Sequence, residues 1–335
     1  MEAVQRTSSK RRCRTSLSNR GIPFGDLQNE ASQLLGASLS SNTASAYKTG
    51  IHKFENFRSQ YSMCQVWPPQ IDQIVTFIAS LSIQGLAYST VRLYITAIGF
   101  NCKIQLFEDV TKHFLICKTL EGMKRIMLPH KDTRLPITSQ ILVKILSKLA
   151  VTCSNEYEKK LFAAAYSLAY FGFFRVGEIA ISKGRSVCQI IALNDIIMDK
   201  EHKYIIVKVR YSKTDQCGKG VSLKINKVGG IMCPVNNLVQ YLGARPGLLG
   251  PLFVHFDGRP LSRYQFSAVL QKSLNIEGID ESKFNSHSFR IGAATTAAVM
   301  GYPTEEIQLA GRWSSNAYQS YVRPPVHTLP NLIVK

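Results

Sequence analysis

Between Leu39 and Met127, apolar residues return every three or four positions, a period that restricts the segment to amphipathic helices buried along one stripe. In PPQIDQIVTFIASLSIQG the stripe is Ile71, Ile74, Val75, Ile78 and Leu81, and Gly85 stops it. Upstream, Ser and Thr caps open a helix carrying Tyr47, Ile51, Phe54 and Phe57. Downstream, Ser89 opens a helix with Val91, Tyr94, Ile95 and Ile98, and Asp109 a fourth with Phe114, Cys117 and Leu120. The spacing predicts four helices around one core, and these side chains are packing rather than chemistry.

The stretch LPHKDTRLPITSQ sets two prolines around a charged run and ends on a capping pair, the pattern of an exposed linker. The organisation expected is a basic, disordered arm over 1–35, a helical domain over 36–128, a linker over 129–137 and a larger domain over 138–335. In the larger domain a helix begins near Ser139, and a long apolar helix runs from Glu156 to about Ile181. CQIIALNDIIMD, KYIIVKVRYSK and GVSLKIN are rich in β-branched residues between turn-formers, which predicts three antiparallel strands. Helices then resume, with Pro234 in a first turn and Ser262 as a cap. The fold class is mainly α with a small antiparallel β-sheet.

Lysine and arginine number 41 against 22 acidic residues, a formal charge of +19. That excess favours a polyanionic partner, nucleic acid first, because phosphate neutralisation releases counterions. The competing reading is a solvated cationic surface. Eight cysteines are dispersed without zinc-ligand spacing and read as reduced thiols of an intracellular protein. No secretory signal is evident, and LFAAAYSLAYFGFF is too short to cross a bilayer, so no membrane partner is expected. The first twenty residues are polar and basic, suited to binding DNA or to a nuclear address, and equally to a solvated tail.

Candidate chemistry is spread along the larger domain. His287 and Arg290 lie three apart at the start of a helix, where free N–H groups attract anions; a surface pair with acidic neighbours is the bland alternative. That helix stops at Gly301 and a second starts at Pro303, a pattern also compatible with a helix-turn-helix that binds DNA without catalysis. FFRVGEIA puts Arg175, and Glu178 three residues on, among apolar neighbours, a costly placement unless the charges pair or are used. VRYSKTDQCGKG puts Lys213 on a β-turn, exposed and able to reach a partner.

Taken together, FFRVGEI, RYSKT, HSFRIGAATTAAVMGYPTEEIQLAGRW and YVR resemble, in order and spacing, the Cre-like catalytic motifs of the tyrosine recombinases, or phage integrases. GRWSSNAYQSYVRP is similar to the recombinases of eukaryotic mobile elements of the Crypton and DIRS type. The motif resemblance covers 170–323 and is only architectural over 39–127. It implies a helical SAM-like core-binding domain followed by a catalytic domain with the DNA breaking-rejoining enzyme fold. It further implies that Arg175 and Arg290 hold the scissile phosphate, with Glu178 supporting them. Lys213 would protonate the departing 5′ oxygen, His287 assist proton movement, Trp313 donate a hydrogen bond, and Tyr321 act as nucleophile. Tyr321 lies eight residues after Trp313, one fewer than the family's usual spacing, and Tyr318, three residues earlier, remains an alternative nucleophile.

The chemistry implied is coherent. Phosphodiester exchange builds negative charge on the phosphorus oxygens, which two guanidinium forks, an ammonium, an imidazole and an indole N–H can meet. A phosphotyrosine conserves the bond for religation, so neither ATP nor a metal cofactor is expected. The partners implied are double-stranded DNA and further copies of the chain, four around two duplexes, with a monomer compatible with the DNA-free state. The expected location is the nucleus in a eukaryote and otherwise the cytoplasm. The alternatives weighed are a domesticated, non-cleaving DNA-binding descendant, a type IB topoisomerase-like enzyme and a charge-driven RNA binder.

Overall fold

The computed structural model describes residues 22–127, 132–182, 187–210 and 220–323. The chain divides into two compact units, Met1–Lys131 and Asp132–Lys335.

The first unit holds five helices: α1 (Phe24–Ala37), α2 (Ser41–Gln60), α3 (Ile71–Ile83), α4 (Tyr88–Ile104) and α5 (Phe114–Ile126). The Ser40 side chain accepts the Thr43 N–H and starts α2, and Gly85, at φ +74°, follows α3. Phe54, Ile74, Phe77, Ile78, Val91 and Ile98 form the core, so the first three stripes read from the sequence face inward. On α5 the expected stripe is corrected: Phe114 and Cys117 are exposed, Leu120 is partly buried, and Ile116 and Met123 fill the core. Two other expectations need correction. α1 lies partly within the span expected as a disordered arm, yet it buries no residue, which is why its sequence carried no core signal; residues 1–21 lie outside the described set. Asp109 caps only a 3₁₀ turn, Val110–Lys112, and α5 starts after His113, whose ring nitrogen accepts the Leu115 N–H.

The second unit contains α6 (Ser139–Thr152), α7 (Glu156–Phe171), the single turn α8 (Val176–Ile179), a sheet of order β1-β2-β3, then α9 (Pro234–Leu242), α10 (Arg263–Ile276), α11 (Ser288–Val299) and α12 (Thr304–Gly311). The strands are β1 (Ile196–Met198), β2 (Tyr204–Val209) and β3 (Val221–Asn226), antiparallel throughout, with Ile205 opposite Ile225 and Val209 opposite Val221. Thr138 caps α6, and Ser262 with Gln265 forms a capping box on α10. α7 is the central rod, packed against α6, α9 and α11; Tyr166 on α7 stacks on Phe289 of α11 and meets Phe266 of α10 edge-on. Among the described residues, no helix is long and apolar enough to cross a membrane.

Two further expectations are revised. The apolar helix predicted from Glu156 to Ile181 breaks after Phe171: Gly172 ends it, Phe173 adopts φ +50°, and the Phe174 ring folds back so closely that a Cβ on Gly172 would stand 2.0 Å from it. Part of the expected linker is fixed to the second unit, because Leu135 N–H donates to Lys283 O, Ile137 N–H donates to Ser288 O, and Ile137 is fully buried. The turn expected to carry Lys213 lies outside the described residues.

Candidate active site

The break after α7 creates the site. A helix C-terminus leaves carbonyls without intrahelical partners and carries partial negative charge, so it attracts cations. Here the Phe173 carbonyl accepts from the guanidiniums of both Arg290 and Arg312. Two residues on, Arg175 is the N-cap of α8; its backbone N–H donates to Glu178 Oε2 at 3.0 Å and its Nη1 to Glu178 Oε1 at 3.3 Å. The same carboxylate receives Arg312 Nη2 on Oε2 at 2.6 Å.

Arg290 projects from the first turn of α11 and is 0% exposed. It also donates to the Gly311 carbonyl, and its guanidinium lies over the Trp313 ring at 4.1 Å and the Tyr321 ring at 5.5 Å. Burial first, then the charges of Arg175 and Arg312, lowers its pKa; guanidiniums nevertheless stay charged at neutral pH. Arg175 and Arg312 thus pair with one carboxylate while Arg290 beside them holds only carbonyls, an excess of two positive charges in a largely buried place. Arg290 Nε, Arg312 Nε and Arg312 Nη1 are buried without a hydrogen-bond partner. Such an imbalance is costly in a closed core and is relieved by a bound anion.

His287 caps the same helix, its N–H donating to Asn285 Oδ1 at 2.8 Å. Burial lowers its pKa, and the charges of Arg134, Arg263, Arg290 and Arg175 lower it further, which favours a neutral imidazole. Trp313 follows α12 and Tyr321 follows a 3₁₀ turn, Asn316–Ser320; their rings are 5.0 Å apart. A Cβ on Gly311 would stand 1.7 Å from the indole, so this approach requires glycine there. The Tyr321 carbonyl takes the Thr295 hydroxyl at 3.4 Å, and the same hydroxyl oxygen receives the Arg323 N–H at 3.0 Å. Arg323 Nη2 in turn donates to Asp132 Oδ2 at 2.7 Å, and Asp132 holds Arg134 at 2.7 and 2.9 Å.

Arg175, Glu178, His287, Arg290, Trp313 and Tyr321 are thereby gathered in one place from three separate stretches of chain. Tyr318 is half-buried, and it is Tyr321 that makes the ring contacts with Trp313 and Arg290.

No family model matches the chain. An integrase/recombinase xerD homologue of Selenomonas ruminantium is 27% identical over 284 residues, 80% of this chain and 77% of that protein. In sequence the chain is thus similar to the integrase/recombinase proteins over most of its length. The fold is that of solved integrases. The Tn1549 transposon integrase in complex with transposon right-end DNA superposes with a TM-score of 0.59 at 16% identity, over 89% of this chain and 94% of that one. A lambda integrase dimer bound to a COC′ core site gives 0.61 at 15%, over 93% and 99%. The XerH site-specific recombinase on a palindromic difH substrate, a post-cleavage complex, gives 0.61 at 15%, over 83% and 75%.

The surroundings of the site hold more cations than the motifs announced. Arg312, Arg134 and Arg263 went unread, as did the Asp132–Arg323 pair. The sequence signal for Arg312 was its place beside Trp313 in AGRW. Arg134 and Asp132 sat in what reads as a linker, and nothing local to them points 150 or more residues downstream.

Proposed function

We propose that this chain is a site-specific DNA recombinase that cuts and rejoins duplex DNA through a covalent 3′-phosphotyrosine formed on Tyr321. The Tyr321 oxygen attacks the scissile phosphorus, the bond to the 5′ oxygen breaks, and that oxygen leaves with a proton from Lys213. Arg175 and Arg290 hold the non-bridging oxygens, Trp313 donates its indole N–H, and neutral His287 takes up the proton that Tyr321 releases. A 5′-hydroxyl of a second strand then attacks the phosphotyrosine and restores both the phosphodiester and the phenol. Fixed donors of this kind replace solvent around the developing charge without reorganising.

The observation that carries this reading is the buried excess of guanidinium charge stacked on Trp313 beside Tyr321. Double-stranded DNA is the substrate, as the chain's net charge of +19 favours. The reading extends to four protomers on two duplexes and to a eukaryotic mobile element of Crypton or DIRS type, acting in the nucleus. The non-cleaving alternative predicts lost catalytic positions, and the sequence retains each of them.

The test is adduct formation on a pool of nicked duplexes of randomised sequence, in EDTA, read on denaturing gels. Wild type is expected to become covalently attached, with Arg175→Ala and Arg290→Ala slower by about 10²- to 10³-fold. Adducts lost on adding EDTA, or formed equally by all three proteins, overturn the proposal.

A further inference from the structure

Arg312 stands at the C-cap of α12 with φ +55°, a conformation in which glycine is the low-cost residue. Its side chain is 6% exposed, and its guanidinium lies 5.0 Å from the centre of the Phe174 ring. Two of its three nitrogens are buried without a hydrogen-bond partner. Backbone strain and an incompletely satisfied buried cation both oppose folding, and such outliers persist where the side chain serves the site.

The geometry around Glu178 shows what that service is. Glu178 Oε2 lies 2.6 Å from Arg312, whereas Oε1 is 3.3 Å from Arg175 Nη1. The carboxylate's close partner is therefore Arg312, and its grip on the Arg175 guanidinium is the long one. Arg175 is also the more open of the two, with 20% of its side chain exposed. A carboxylate and a phosphodiester compete for the same guanidinium fork, because both offer two coplanar acceptor oxygens. With Arg312 absent, Glu178 would close on Arg175 as a two-pronged pair and withdraw it from any other anion.

We propose that Arg312 is a positioning residue that occupies Glu178, so that the Arg175 guanidinium stays available to the scissile phosphate. The same side chain ties the turn carrying Gly311 and Trp313 to the break after α7, through the Phe173 carbonyl that Arg290 also uses. The inference rests on the recombinase reading above, and its consequences are separable from it.

The experiment measures single-turnover cleavage at saturating protein, on a nicked duplex selected from the randomised pool by adduct formation with wild type. Arg312→Met retains bulk against Phe174 and removes the charge; Arg312→Gly relieves the left-handed backbone and also removes the charge. Both are expected to cleave about 10- to 10²-fold more slowly, with DNA affinity changed less than about threefold. Thermal melts establish folding, and Arg312→Gly remains informative if Arg312→Met melts early. The decisive arm adds Glu178→Gln to each variant. Removing the competing carboxylate is expected to recover at least about half of the loss on a logarithmic scale, a coupling that a purely structural arginine does not give.

Wild-type rates in both Arg312 variants, or double variants no faster than the single ones, overturn the inference and leave the recombinase reading standing. If wild type itself yields no adduct with the pool, the recombinase reading falls and the inference with it.

Discussion

The Arg290 guanidinium lies over the face of the Trp313 indole, 4.1 Å from its centre, and the Tyr321 ring stands 5.0 Å from the same indole. Trp313 thus packs against both the cation and the phenol ring, and Arg290 also faces the Tyr321 ring at 5.5 Å. Trp313→Phe keeps an aromatic face under Arg290 and loses the N–H; single-turnover cleavage is expected to slow about 10- to 10²-fold. Trp313→Ala removes the face too and should be slower still, with a lower melting temperature. Equal rates for wild type and Trp313→Phe would remove the indole N–H from the chemistry.

Gly292 on α11 lets the segment through Ile137 cross the helix at contact distance: a Cβ there would stand 1.8 Å from the Ile137 carbonyl oxygen. Backbone on both sides leaves no flexible group to move, and the Ile137–Ser288 hydrogen bond of 2.9 Å must yield. Gly292→Ala is expected to cost about 1–3 kcal/mol, read as a lower urea midpoint with unchanged slope. An unchanged midpoint would mean that this crossing is not tight in solution.

Asp132 joins the segment before α6 to the segment that carries Tyr321, through Arg323. Hydrogen bonds from Arg134, aided by the charges of Arg134 and Arg323, hold its carboxyl at about 2, below the ordinary 3.8. A depressed carboxyl stabilises the fold fully above the unfolded value, and that contribution fades as pH falls from about 3.8 through about 2. The group is partly exposed, so solvent screening keeps the effect small. Asp132→Asn should therefore lose stability at neutral pH and show a shallower decline between pH 4 and pH 2, measured by urea unfolding at each pH. Parallel acid limbs would contradict this.

His287 titrates below its ordinary 6.5 because burial and four arginines disfavour the imidazolium. As pH falls through 6.5 the unfolded chain takes the proton first, so His287 subtracts from stability in that range until the folded imidazole is protonated as well. Its ring-proton NMR shift, assigned with His287→Gln, should titrate with a midpoint below 6.5 in the free protein and move upward when duplex DNA brings a phosphate to the site. A midpoint at or above 6.5 without DNA would mean that the arginines do not face it.

Much of the architecture was legible because it rests on local rules. The stripe from Ile71 to Leu81, the Thr138 and Ser262 caps, and the β-branched runs around Ile205 and Ile225 each declare their element within a few residues. The break after Phe171 was not legible, since GFF continues an apolar run and only the return of the Phe174 ring over Gly172 fixes the turn. Arg175, Arg290 and Trp313 announced themselves through motif order. Arg312 did not, because its partner Glu178 lies far upstream and its left-handed backbone is one that sequence assigns to glycine.

Which phenol becomes bonded to DNA is the most direct measurement of the central claim. Trypsin cuts after Arg312 but not at the Arg323–Pro324 bond, so one peptide beginning at Trp313 carries both Tyr318 and Tyr321, and fragmentation of the nuclease-trimmed adduct by mass spectrometry distinguishes them. The expected result is a 3′-phosphonucleotide on Tyr321, abolished by Tyr321→Phe with duplex binding retained. A nucleotide on Tyr318, or an adduct that survives Tyr321→Phe, would contradict the assignment.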